Sequence, residues 1–87
     1  MMKDKRLIYG VLLSNRLIEA ASVQALFTEY GCHIRTRLGL HNVDDSFCSA
    51  KGLVLLEMFG DEVKCRELGE KLAAIEGIEV KSMEFCC

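Results

Sequence analysis

The apolar positions of this chain switch between a period of two and a period of three to four residues, and each switch marks an element. From Leu7 to Leu13 the period is two. Leu7, Tyr9, Val11 and Leu13 fall on one side, Ile8 and Leu12 on the other, and a strand apolar on both sides belongs in the middle of a sheet. Gly10 in its centre predicts a bulge or a close backbone approach. Ser14 or Asn15 then caps a helix over 16–30, whose buried stripe is Ala20, Val23, Leu26, Phe27 and Tyr30. Gly31 is placed to end it in the left-handed conformation.

A second strand follows at His33 to Leu38, with Ile34, Thr36 and Leu38 on one side and His33, Arg35 and Arg37 on the other. One polar side suits an edge strand. Leu53 to Phe59 is apolar on both sides and is a second central strand. Asp61 caps a second helix with Cys65, Leu68, Leu72 and Ile75 on one stripe, and Gly77 supplies the stop. The last strand runs from Ile78 to Phe85. Its alternation slips between Ile78, Val80 and Met83, Phe85, which predicts a bulge near Lys81 and Ser82.

The order is β-α-β-β-α-β, an α+β chain of the ferredoxin-like sandwich type. Right-handed crossovers put strands one and three in the middle, giving a four-stranded antiparallel sheet of order 4-1-3-2 with both helices on one face. The chain is expected to be a single domain over 1–87, with residues 1–5 and 86–87 as frayed ends. The face away from the helices is left bare and apolar, which calls for a partner, and the chain is expected to be at least a dimer.

Composition narrows the classes. Eighty-seven residues make one core and leave no room for a second. A net charge of −2 argues against a broad basic surface for direct nucleic-acid binding. Five cysteines are an odd number without a secreted-scaffold spacing, so reduced thiols and a cytoplasmic location are expected. Lys3 to Arg6 before the run Leu7 to Leu13 mimics a signal peptide, but Arg16 and Glu19 stand where a small-residue cleavage site belongs. No run reaches the roughly 20 apolar residues that cross a membrane.

Candidate chemistry gathers in the stretch from Gly39 to Gly52, which is long for a hairpin connection and holds His41, Asp44, Asp45, Cys48 and Lys51. His41 and Cys48 are a metal-ligating pair for zinc, nickel, copper or iron, completed by Asp44, Asp45 or groups of another subunit. The alternative is an exposed histidine and a half-buried thiol that packs the loop. A thiol enzyme would use Cys48 as nucleophile, His41 as base and Asp45 as its orienter. Arg35 and Arg37 offer forked donors for a carboxylate or phosphate at a subunit interface, or are the solvated side of an edge strand. The ligand-binding candidates are therefore Arg35, Arg37, His41, Asp45 and Cys48, and His41 and Cys48 are the metal candidates. Cys32 and His33 read as a helix exit, Cys65 as a small core residue, and Cys86 with Cys87 as a tail.

Arg37-Leu-Gly-Leu-His41, Gly52-Leu-Val-Leu-Leu56, Gly60-Asp61 and the ending Leu72-Ala-Ala-Ile-Glu-Gly-Ile-Glu-Val-Lys81 resemble the iron-only hydrogenase system regulators. That family is similar to the C-terminal sensor domain of the nickel-responsive repressor and to ACT domains. The resemblance covers Leu7 to Phe85 and implies a ferredoxin-like domain that assembles as a dimer or tetramer and serves regulation. The repressor's nickel ligands are a His-x-His on strand two and a Cys before strand three. Here Arg35-Thr-Arg37 stands at the first position, and arginine does not ligate a metal, so the square-planar nickel site is lost although Cys48 remains. The repressor's ribbon-helix-helix segment is also absent from this sequence, so no operator binding by this chain alone is expected. The expectation is a non-enzymatic, homo-oligomeric domain sensing a small ligand or transition metal, linked by the resemblance to a hydrogenase system. A small thiol enzyme and an accessory subunit docking a larger protein are the alternatives.

Overall fold

The computed structural model describes residues 4–40 and 51–86. In chain order the elements are β1 (Lys5–Leu13), α1 (Arg16–Glu29), a single 3-10 turn at Gly31–His33, β2 (Ile34–Leu40), β3 (Gly52–Met58), α2 (Glu62–Ala73) and β4 (Ile78–Cys86). The strands form one four-stranded antiparallel sheet in the order β2-β3-β1-β4. This is the ferredoxin-like arrangement.

The two-sided apolar strands β1 and β3 are the central pair, each hydrogen-bonded to a neighbouring strand along both edges. Leu7, Tyr9, Val11 and Leu13 of β1, with Leu56 and Met58 of β3, turn to the helices and are buried. Val23, Phe27 and Tyr30 meet them at the α1 end, and Cys65, Leu68 and Leu72 from α2, which makes one continuous core. Each large aliphatic side chain so buried contributes about 1.5–3 kcal/mol.

Local chemistry sets the helix ends. Asn15 is the cap of α1, its side chain accepting from the Leu17 N–H at 3.1 Å. Asp61 caps α2 by accepting from the Val63 N–H at 2.9 Å. Ser14 has another task, donating to Glu19 Oε2 at 2.8 Å while the Asn15 N–H donates to Oε1 at 3.0 Å. Glu19 is thus buried with both oxygens satisfied. Gly77 adopts φ +88° just before β4, and its N-terminal neighbours have already left the helix at Ala73. A Cβ on Gly77 would overlap Glu19 Oε2 and stand 2.7 Å from Ser14 Oγ.

Four sequence expectations are corrected. Gly10 sits in unbroken register between Leu55 and Lys81, so β1 has no bulge there. Register is equally unbroken from Ile78 to Cys86, so β4 has none at Lys81 and Ser82. Its apolar residues change sides because they serve two surfaces: Ile78 and Val80 pack on the core, while Met83 and Phe85 lie on the opposite face. The irregularity is in β2, where the pairing shifts between Ile34 and Thr36. That bulge turns Ile34 to the core and leaves Thr36 and Leu38 on the other face, so these three do not share a side. Gly31 is not left-handed: among the described glycines only Gly60 and Gly77 have positive φ, and α1 instead ends at Glu29 through Tyr30, whose N–H donates to the Leu26 carbonyl at 2.9 Å. Pairing runs out to Lys5 opposite Cys86. Lys5 Nζ lies 3.3 Å from Glu62 of α2, which holds that end down.

Candidate functional site

Two surfaces remain once the core is closed. The first is the open face of the sheet. Register places Arg6, Ile8, Gly10 and Leu12 of β1 there, with Leu53, Leu55 and Glu57 of β3, Thr36 and Leu38 of β2, and Met83 and Phe85 of β4. Leu12 of β1, Leu38 of β2 and Met83 and Phe85 of β4 are 39, 50, 53 and 51% exposed, and with the half-buried Leu53 and Leu55 of β3 they put apolar groups on all four strands. Two ion pairs lie among them, Lys81 with Glu79 on β4 at 3.5 Å and Arg6 with Glu57. Arg6 Nε donates to Glu57 Oε2 at 2.8 Å from the neighbouring strand.

The second surface is a groove on the helix side, of about 230 Å³, where α1 passes β3 and β2. Val23 and Phe27 form one wall, and Leu13 and Val54 the floor. Gly39 and Gly52 line it without side chains, and a Cβ on Gly39 would meet no atom of the described residues within 4 Å. Arg16 and Gln24 of α1 form its rim.

The site residues expected from sequence fall in different places. Arg37 pairs in register with Leu56, a core residue, and so lies on the helix side, with its guanidinium carbon 4.7 Å from the centre of the Phe27 ring. Arg35 belongs to the bulge and lies 5.5 Å over the Phe59 ring. The two arginines therefore stack on different aromatics. His41, Asp44, Asp45 and Cys48 lie outside the described residues. Among the described residues no three His, Cys, Asp or Glu side chains are grouped to hold a metal. Cys32 and Cys86 are exposed thiols and Cys65 is buried.

Around Cys65 a compact polar set joins β1, α2 and the end of β3. Tyr9 Oη donates to the Cys65 carbonyl at 3.0 Å. The Cys65 thiol is 3.4 Å from the Phe59 carbonyl, and His33 Nδ1 is 3.3 Å from the same oxygen. Burial pushes the pKa of the Tyr9 phenol up, partly opposed by Arg66. Burial likewise raises that of the Cys65 thiol, with Asp61 adding to the effect. A thiol held protonated is a poor nucleophile and a poor metal ligand, so this cluster holds α2 in place. Arg66 extends it outward, pairing with Glu62 at 3.1 Å and with Glu84 of β4. Arg66 is the main cause of the lowered Glu62 pKa.

Sequence reasoning missed Glu19 and the groove. Glu19 carried a signal, since a glutamate four residues after Asn15 can reach back to the cap N–H. The groove carried none, because it arises where residues from three strands and a helix meet.

No family model matches the chain, and no curated protein matches it. Solved structures do. An uncharacterised protein of Thermotoga maritima is 22% identical, with a TM-score of 0.78 over 94% of this chain and 99% of that one. The C-terminal domain of the MgtC protein of Mycobacterium tuberculosis is 11% identical, with a TM-score of 0.62 over 100% of this chain and 92% of that one. A formyltetrahydrofolate deformylase of Pseudomonas putida is 16% identical at a TM-score of 0.56; 90% of this chain aligns with it and spans 28% of the deformylase. At 22% identity and below, these likenesses establish one thing, a ferredoxin-like fold shared across proteins of different description.

Proposed function

We propose that the chain is a non-enzymatic, homo-oligomeric regulatory domain that senses a small ligand or metal and associates through the open face of its sheet. The carrying observation is the set of apolar side chains Leu12, Leu38, Met83 and Phe85 on this face, each more than a third exposed and linked in register through Ile8, Leu53 and Leu55. Contiguous apolar surface of this kind on a small domain marks an interaction site. A two-fold axis in front of the sheet makes the patch its own complement. A ferredoxin-like protein from an uncultured marine organism with a TM-score of 0.53 to this chain is described as dimeric, which supports the same reading. The link to a hydrogenase system belongs to the proposal through the sequence resemblance alone. So does a ligand or metal site at the subunit interface using Arg35, Arg37, His41, Asp45 and Cys48, with His41 and Cys48 as the metal ligands.

Light scattering of the purified protein tests the assembly, with a dimer or tetramer expected at micromolar concentration. Leu12→Asp places a charge among these side chains, and a two-fold interface contains it twice. That variant should dissociate, and because so small a domain draws stability from its partner, its Tm should fall as well. Val63→Asp, on a residue 70% exposed in the first turn of α2, should leave assembly intact. A monomeric wild type, or an oligomer indifferent to Leu12→Asp, overturns the interface. For the metal, anaerobic purification followed by elemental analysis should show a retained transition metal that His41→Ala and Cys48→Ala each lose. Equal content in all three proteins removes that assignment.

A further inference from the structure

We infer that the free edge of β2 docks an extended, acidic segment of another protein, which pairs along it as an added strand. The inference gives Arg35 and Arg37 of the reading above a partner class, and it stands apart from the interface on the open face and from the metal.

The edge supplies backbone. β2 ends the sheet order and, among the described residues, pairs with β3 alone. An edge strand turns alternate N–H and C=O groups away from its sheet, and an added strand satisfies them. Every residue from Arg35 to Gly39 is exposed. Bulges and charges are also the devices that keep edges from pairing. Here the bulge is confined to the start of the strand, and from Thr36 to Leu40 the register with β3 is unbroken. A regular template for pairing therefore remains.

Charge selects the segment. Lys5, Arg6, Lys64, Arg66, Lys71 and Lys81 are each ion-paired. Arg35 and Arg37 meet no acid among the described residues. Each lies instead over an aromatic ring, Arg35 at 5.5 Å from the centre of Phe59 and Arg37 at 4.7 Å from that of Phe27. Stacking holds a guanidinium by its face and leaves the N–H groups of its rim for a carboxylate. A cation fixed in this way loses little freedom when it binds. Two such cations on one bare edge match an extended chain that carries carboxylates.

The chain's own described strands offer no such segment. A second β2 would bring arginines against arginines, and like charges on adjacent strands repel. β4, the other edge, carries Glu79 and Glu84, but Lys81 and Arg66 already hold them. An acidic segment of a separate protein is the occupant that fits both the backbone and the charge.

Backbone shifts and amide hydrogen exchange read the pairing directly. The probe is a short capped peptide of valine and glutamate, with glutamates on both faces of its extended chain. Titrated into the isotopically labelled full chain, it should shift the amides of Thr36 to Gly39 saturably and slow the exchange of those that face outward. The same peptide with glutamine for glutamate should bind at least about fivefold more weakly, since two exposed ion pairs are lost. Arg35→Gln and Arg37→Gln should each weaken the acidic peptide about two- to fivefold and leave the glutamine peptide unaffected. Lys64→Gln, on α2, should change neither. Glutarate, which has the carboxylates without the backbone, should give no exchange protection. Absence of saturable shifts in β2, equal affinity for the two peptides, or binding without exchange protection overturns the site. Light scattering on the same samples keeps the outcomes apart: an oligomer that ignores the peptide refutes the edge alone, and a monomer that binds it refutes the assembly alone.

Discussion

Gly69→Ala offers a test of how closely α2 is seated. In an exposed helix interior this substitution stabilises by about 0.5–1 kcal/mol, because alanine loses less backbone freedom on folding than glycine. Gly69 is buried against β1, and a Cβ there would stand 2.5 Å from Tyr9 Oη, 2.6 Å from Cζ and 2.9 Å from Cε1. The obstacle is a rigid ring, itself 5% exposed and tied to the Cys65 carbonyl at 3.0 Å. Overpacking of this sort costs about 1–3 kcal/mol, and the strained or broken phenol hydrogen bond adds about 1 kcal/mol. The helix gain offsets part of it, leaving a net destabilisation of about 1–3 kcal/mol. For a domain of this size each 1 kcal/mol moves Tm by about 4–8 °C, so a fall of about 5–20 °C is expected by calorimetry or circular dichroism. Tyr9→Phe alone should cost only about 1 kcal/mol, the hydrogen bond. In a Tyr9→Leu background the obstacle is gone, and Gly69→Ala should change sign and stabilise. A higher Tm for Gly69→Ala in the wild-type background refutes the close seating, and an unchanged effect in the Tyr9→Leu background refutes its cause.

Gly77→Ala should be costlier, about 2–4 kcal/mol, since it combines a left-handed backbone at φ +88° with loss of the Glu19 and Ser14 hydrogen bonds. Urea unfolding measures it, and Glu19→Gln, which keeps the shape, should cost less. Alkaline pH should destabilise the fold. The raised pKa values of Cys65 and Tyr9 leave stability flat below their ordinary values of 9.0 and 10.0 and make it fall as pH rises through and beyond them. Tyr9→Phe should flatten the upper part of that decline. In the native state a maleimide should label Cys32 and Cys86 promptly and Cys65 only on unfolding, read by peptide mass mapping; prompt labelling of Cys65 would contradict its burial.

The fold was legible because its information is local and periodic. Leu7 to Leu13 and Leu53 to Met58 are apolar on both sides, which makes them central without reference to any other residue. Asp61 caps α2 as its residue type suggests. What misled was a broken alternation. Ile78, Val80, Met83 and Phe85 read as a slipped register only if a single face of β4 is apolar. The strand is regular and apolar on both faces along different halves, so the break was a sign of the second surface. The converse holds in β2, where a regular-looking pattern from Ile34 to Leu38 conceals a real bulge. There the core's demand for Ile34 at one end of the strand is met while Arg37 takes the same side, its charge over Phe27 at the margin of the core. Periodicity assigns faces only when the reader knows how many faces are apolar, and that number is a tertiary fact. The same limit explains the groove. Among the described residues it is lined by small ones at Gly39, Gly52 and Ala20, and these come together only after the helix is laid on the sheet.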